Sequence, residues 1–307
     1  MAVLVTLKTA FEHTEVVQYL EDKTYEFLQG RIVSGGITER AKVLVVDISS
    51  IKKEPCNPGW ECTPRPQIQD LIEVFTEMGA KSVGVDVDFS PDKKQLIHPR
   101  DPDFFESCLQ CSIKTQVPIV LGVFRTAERP EEWLSDDRYM RLAGFIGVRR
   151  QGDYWPDRAT YWIIAGNGMP LRSISAALAG VDWMTLIQGK NSSWSWAIRP
   201  TSIIDFPSLN RIQDEVEHNV DPSPYRDDRD KISGRIVILG DAAQTDCNPE
   251  KDQDCFHVTG VKHGVPGVYL HACAAATISS PKPIYQLTLV GRNCDGRSSG
   301  AACIWIG

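Results

Sequence analysis

The apolar positions of the chain fall into two patterns. Uninterrupted β-branched and aliphatic runs occur in KVLVVDISS (42–50), KSVGVDVDFS (81–90), VPIVLGVF (117–124) and GRIVILGDAAQTD (234–246). Runs this short, bounded by turn residues, read as strands buried on both faces. Between the first two, Ile68, Leu71, Ile72 and Phe75 recur at the helical period over Ile68–Met78, with Pro64 and Pro66 opening the segment and Gly79 closing it. Strand, helix and strand in that order predict a right-handed βαβ unit on a parallel sheet. Asp101 or Asp103 starts a short helix over FFESCLQCSIK, and VPIVLGVF extends the parallel pattern.

The remaining elements are weaker. Thr9 to Gln29 carries Phe11, Val16, Tyr19, Leu20, Tyr25 and Phe27 among polar residues and predicts an amphipathic helix closing at Gly30. Residues 125–140 are polar and contain Pro130, as expected of a surface excursion. AGFIGVRR and ATYWIIAGN predict two lesser strands around the turn-like QGDYWPDR. Leu171 to Leu178 predicts a helix ending before Gly180, and the stretch from Trp194 to Phe206 a hairpin-like β region. SLNRIQDE predicts a helix, His218 to Asp230 is a polar run, and VPGVYLHACAAATIS predicts a helix with small residues on several faces. The expected fold is α/β: a mostly parallel central sheet flanked by helices, with antiparallel additions from the middle third. The expected organisation is a helix over 1–31, a domain over 32–283 and an irregular tail over 284–307.

The 307 residues carry 33 Lys and Arg against 40 Asp and Glu, a net charge of −7, with no basic cluster to neutralise phosphates, so no nucleic-acid partner is expected. No window of 18 apolar residues occurs, so no spanning helix is expected within this sequence. The opening MAVLVTLKTAF lacks the charged start and the cleavage site of a signal peptide.

Cysteine placement adds a compartment. Cys56 and Cys62 bracket NPGWE, and Cys247 and Cys255 bracket NPEKDQD, segments whose composition turns the chain back on itself. Each pair is a candidate disulfide, which would stabilise by roughly 2–3 kcal/mol by restricting the unfolded chain; the alternative is free thiols on two loops. The spacings are wider than the usual zinc-ligand pair. Bridged loops favour an oxidising compartment. Cys108 and Cys111 stand at helical spacing, either as a redox pair or, as expected here, as small core residues.

Acidic residues recur where the apolar runs end: Asp47, Asp86 with Asp88, and Asp241. Strand carboxyl ends line the crevice where open parallel sheets bind ligands, though Asp at such places also starts turns and caps helices. The pairing of DVDFS with GDAAQTD also resembles haloacid-dehalogenase-type phosphatases. There Asp86 and Asp88 would be nucleophile and acid, with Asp241 and Asp246 holding Mg²⁺. Phe89 departs from that family's small or hydroxylic residue. His257, His263 and His271 match no helical pair of zinc ligands. No dinucleotide-binding glycine turn, Walker A sequence or G-x-S-x-G elbow appears, and Trp155, Trp162, Trp194 and Trp196 are expected to pack rather than stack on bases. No cofactor is expected, and a metal is left open.

VLVVDIS, Arg65 leading a helix, GAKSVGVDVDFS, DPDFFESCL before VPIVLG, and KISGRIVILGDAAQTD followed by GVPGVYLHACA occur in an order that resembles the CHASE domain of the second type, from about Lys23 to Pro281. The resemblance implies a non-enzymatic sensory module on the periplasmic side of the bacterial inner membrane. It implies attachment to cyclase, histidine kinase or Ser/Thr kinase outputs through membrane segments outside this sequence. Thr9–Gln29 looks like the helix that would descend from the N-terminal anchor, and the polar stretch after Ile284 looks unable to span a bilayer. The insert after Asp246 lengthens a loop that is usually shorter. Candidate ligand-facing residues are Asp47, Arg65, Asp86, Asp88, Asp241, Asp246 and His271. The expected partner is a small-molecule or protein signal, with a homodimer or a purely structural dimerisation role as further readings.

Overall fold

A computed structural model describes residues 42–57, 60–90, 98–124, 136–147, 158–160, 162–164, 170–181, 201–203, 207–243, 247, 254–258, 261, 263–279 and 285–286. Its centre is one sheet of strands β1 (Val43–Asp47), β2 (Ser82–Val85), β3 (Ile119–Val123), β4 (Ala143–Phe145) and β5 (Ile236–Gly240). The spatial order is β1-β5-β2-β3-β4, and every neighbouring pair is parallel. The last strand in sequence is therefore inserted between the first two. Asp47 stands opposite Gly240, Leu239 opposite Val85, Val85 opposite Leu121 and Val123 opposite Phe145, so all carboxyl ends share one edge.

Alternation along the strands divides the core in two. Leu44, Val46, Val83, Val85, Ile119, Leu121, Val237 and Leu239 face helices α1 (Arg65–Glu77) and α2 (Asp101–Thr115). Val43, Val45, Val120, Ile236 and Ile238 face α3 (Ile174–Leu178), α4 (Pro207–Asp214) and α5 (Gly267–Ile278). Both faces of the sheet are covered, which is why these strands read as unbroken apolar runs. The stripe predicted on α1 is its buried face, and Gly79, at φ 81°, closes the helix in the left-handed region.

Helix α5 is buried nearly all round, from Gly267 through Ala275, as expected of a helix without a polar stripe. Its small residues meet equally small strand positions. A Cβ on Gly240 would press on Val268, and one on Gly144 would press on the Ile174 backbone at the start of α3. Both sheet edges are closed: Glu217 exchanges backbone hydrogen bonds with Asp47 (2.7 Å) and Val45 (2.9 Å), and Ser173 bridges Phe145. Closed edges block strand addition by other chains.

The antiparallel additions comprise residues 158–160, 201–203 and 285–286 in one small sheet, and hairpins 54–57/60–62, 162–164/170–172 and 255–256/265–266. Two expectations need correction. The helix expected from Leu171 begins at Ile174, because Pro170–Arg172 pair as a strand with Trp162–Ile164 and Ser173 caps the helix by accepting from the Ala176 amide at 3.2 Å. The polar run from His218 holds two short helices, Ser223–Asp227 and Arg229–Ile232, the second capped by Asp228. The expected helix over Thr9–Gln29, and Trp155, Trp194 and Trp196, lie outside the described residues.

Gly144→Val is expected to force a branched side chain into the Ile174 backbone and cost about 1–3 kcal/mol, read as a lower urea midpoint with an unchanged slope.

Candidate functional site

The parallel register brings the ends of β1, β5 and β2 side by side, and α5 descends onto them from the α3 side. Asp86 extends β2, its amide bonded to the Leu239 carbonyl at 2.7 Å. Ser82 and Gly84 point to the α3 and α5 face, and strand alternation carries Asp86 to the same face. Its side chain is only 7% exposed. Among the described residues it accepts no hydrogen bond, and its polar neighbour is His271 Nε2, 3.7 Å from Oδ1. Burial without a donor pushes Asp86 up to about 7.

His271 lies on α5, one turn beyond Gly267. Its Nε2 is 3.0 Å from the Ile146 carbonyl; a carbonyl only accepts, so Nε2 carries the proton. Desolvation holds this ring below the usual imidazole range, against the opposing charge of Asp254 and the Ile146 bond. The neutral ring makes the 3.7 Å approach to Asp86 a contact rather than an ion pair.

Asp254, which the acidic-tip pattern missed, completes the group. It immediately precedes Cys255, its carbonyl accepts from the Gly267 amide at 3.1 Å, and a Cβ on Gly267 would overlap its carboxylate. The residue is exposed as a whole while that carboxylate lies against the first residue of α5. Desolvation and then the charges of Asp86 and Asp241 raise it, with His271 opposing. Its place inside a cysteine-bracketed loop was the available signal.

The other candidates separate. Asp47 is buried and saturated: Oδ1 accepts from the amides of Ser49 (3.0 Å) and Ala242 (3.1 Å), and Oδ2 meets His218 Nδ1 at 3.0 Å. Burial alone would raise it, but these bonds outweigh that and hold it below the usual range. Asp88 Oδ1 accepts from the amides of Ser90 (2.9 Å) and Phe124 (3.2 Å), fastening the β2 and β3 tips. Asp241 is exposed and caps its own turn through the Ala243 amide. Asp246 lies outside the described residues. Arg65 belongs to the opposite face: Nε donates to Asp101 at 2.6 Å, Nη1 to the Thr63 carbonyl at 3.0 Å, and the guanidinium covers the Phe89 ring at 4.5 Å. Its charge joins α1 to α2.

Both cysteine brackets are closed as disulfides, Cys56–Cys62 and Cys247–Cys255, each with Cα atoms 5.8 Å apart. Gly264 fits under the second, where a Cβ would collide with both sulfurs. Cys108 is core, and Cys111 is half-buried against Thr76 Oγ1 at 3.1 Å; burial raises both thiols. His257 and His263 are exposed, apart from buried His271, and among the described residues no group of three His, Cys, Asp or Glu can hold a metal. A cleft of about 230 Å³ opens at the amino ends of β3 and β4 beside Arg141 and Arg172, away from all these residues.

Peptide mapping is expected to find Cys56, Cys62, Cys247 and Cys255 closed to alkylation before reduction and open after it. Asp101→Ala, which leaves the Arg65 charge buried without its partner, is expected to cost about 3–5 kcal/mol in urea unfolding, with Arg65→Met in the same chain recovering most of it.

No match was found among curated proteins or among solved structures. The family model of the CHASE2 domain matches residues 1–291. That match spans the parallel sheet, the strand tips with their carboxylates and the α5 helix that closes over them, and on it the chain belongs to the CHASE2 domain family, a family of sensory domains.

Proposed function

We propose that this domain is the extracytoplasmic, signal-reading part of a bacterial receptor, without catalysis of its own, and that the signal is read at the carboxyl rim beneath α5. One observation carries the reading: the carboxylate of Asp86 is nearly enclosed beside a neutral imidazole and accepts no hydrogen bond among the described residues. A carboxylate whose side chain is 7% exposed, with no donor among the described residues, is costly to ionise and finds use where a bound species relieves it. The two disulfides support an oxidising location. A signal acts only through unequal affinity for two arrangements, and α5, held between the rim and the core, is the element whose position such a signal would bias.

A haloacid-dehalogenase-type reaction has less support. Asp88 is engaged by two amides instead of facing a substrate, and a nucleophile would have to be ionised and reachable where Asp86 is enclosed.

Amide exchange over 241–243, 254–258 and 263–271 tests the reading while pH, Mg²⁺, Ca²⁺ and free amino acids are varied singly. A change in protection, exchange being corrected for its intrinsic pH dependence, is expected to be confined to these segments. No change under any condition, together with a mass that rises with concentration, would overturn it in favour of dimerisation alone; turnover of an aryl phosphate with Mg²⁺, lost in Asp86→Asn, would overturn its non-enzymatic part.

A further inference from the structure

We propose that Asp86, Asp254 and His271 form a proton-binding site at the start of α5, so that this domain reads the acidity of the medium outside the cytoplasm. The inference rests on the rim reading above and names its ligand.

Three elements supply the group: β2 through Asp86, the disulfide-bridged loop through Asp254, and the first turns of α5 through Gly267 and His271. Gly267 and His271 are four residues apart and share a helix face. The Asp254 carboxylate lies against Gly267, and the Asp86 side chain lies beside Gly240 and His271. His271 donates its Nε2 proton to the Ile146 carbonyl.

Among the described residues the surrounding charges offer no neutralisation. Asp241, after β5, adds a third negative charge that Asp254 feels. Asp47, on β1, is saturated by Ser49, Ala242 and His218, and Tyr269 of α5 faces Asp47. Asp88 is held by Ser90 and Phe124. Arg65 is bound to Asp101 on the other face of the sheet. Among the described residues no lysine or arginine forms an ion pair with any of the three.

A nearly enclosed carboxylate close to a second one, with no cation among the described residues, does not ionise freely, and the pair retains a proton. Losing that proton sets Asp86 against Asp254. Asp86 is fixed by the sheet ladder, so relief comes from the loop. The Asp254 carbonyl accepts from the Gly267 amide at 3.1 Å, so a shift of Asp254 passes directly to the helix start.

The purified, disulfide-intact chain is followed between pH 6.5 and 8. In this window unfolded carboxyls are already ionised, while His271, held low in the fold, takes up part of a proton on unfolding near pH 6.5, a term that wild type and Asp86→Asn share. The folded chain alone still carries protons there, on Asp86 at about 7. At Asp86 the unfolded state therefore binds fewer protons, and this carboxyl's contribution to stability falls as pH rises. Wild-type Tm relative to Asp86→Asn is expected to fall by roughly 1–2 °C across the window, with protection factors in 254–258 and 263–271, exchange corrected for its base-catalysed intrinsic rate, falling severalfold. Asp86→Asn removes its share and leaves Tm above wild type at pH 8. Asp254→Asn, on the exposed loop, makes the same comparison if Asp86→Asn does not fold. A Tm difference between wild type and the variants that does not change with pH overturns the proton site. If Mg²⁺, Ca²⁺ or amino acids still alter rim exchange, only the proton falls; if nothing does, the rim reading falls with it.

Discussion

In a parallel sheet whose strands are in register, the residues that follow the strands are committed to a common rim. That constraint governs this domain. β5 lies between β1 and β2, so the acids after each strand are neighbours although β5 comes last in the chain. Three such acids cannot all be solvated where helices cover the sheet, and the fold disposes of them differently. Asp47 is neutralised by donors, Asp241 stays in water, and the Asp86 side chain is 7% exposed with no donor among the described residues. A buried carboxylate left without a donor costs several times the roughly 1 kcal/mol that one satisfied hydrogen bond contributes.

The enclosure comes from close packing of small residues. α5 approaches the sheet over Gly240 and begins at Gly267, where only hydrogen leaves room for the Asp254 carboxylate. The Cys247–Cys255 bridge anchors Cys255, the residue after Asp254, and Gly264 tucks beneath the bridge. The disulfide thus does more than restrict the unfolded chain. It sets where a charged side chain meets the first turn of a buried helix, and with it the electrostatics of Asp86.

Much of this was legible in the sequence because it follows from local pattern. Unbroken apolar runs announce strands covered on both sides, and the turn composition between paired cysteines announces a reversal. The acids after the runs located the rim. What each acid does there was not legible, because it depends on partners far away in sequence: Ala242 and His218 for Asp47, Phe124 for Asp88, Ile146 beside His271. Arg65 shows the same limit. A cation at a helix start invites an anion, yet Asp101, 36 residues on, already supplies one. Asp254 escaped notice because it follows no strand, and only the closed disulfide and the hairpin 255–256/265–266 return it to the rim.

A sensor of this construction needs no open cavity. Two arrangements of the loop and helix need only hold the rim proton with different affinity, and a difference of one pKa unit between them shifts their ratio about tenfold, or about 1.4 kcal/mol. That is small beside the burial of the core, so the sheet can remain intact while the helix start moves. The asymmetry of attachment favours such a division. Asp86 is tied into the ladder through its own amide, whereas Asp254 is tied to α5 through the Gly267 amide. Repulsion between them is resisted by the sheet on one side and transmitted to the helix on the other, which gives the change in charge a mechanical direction.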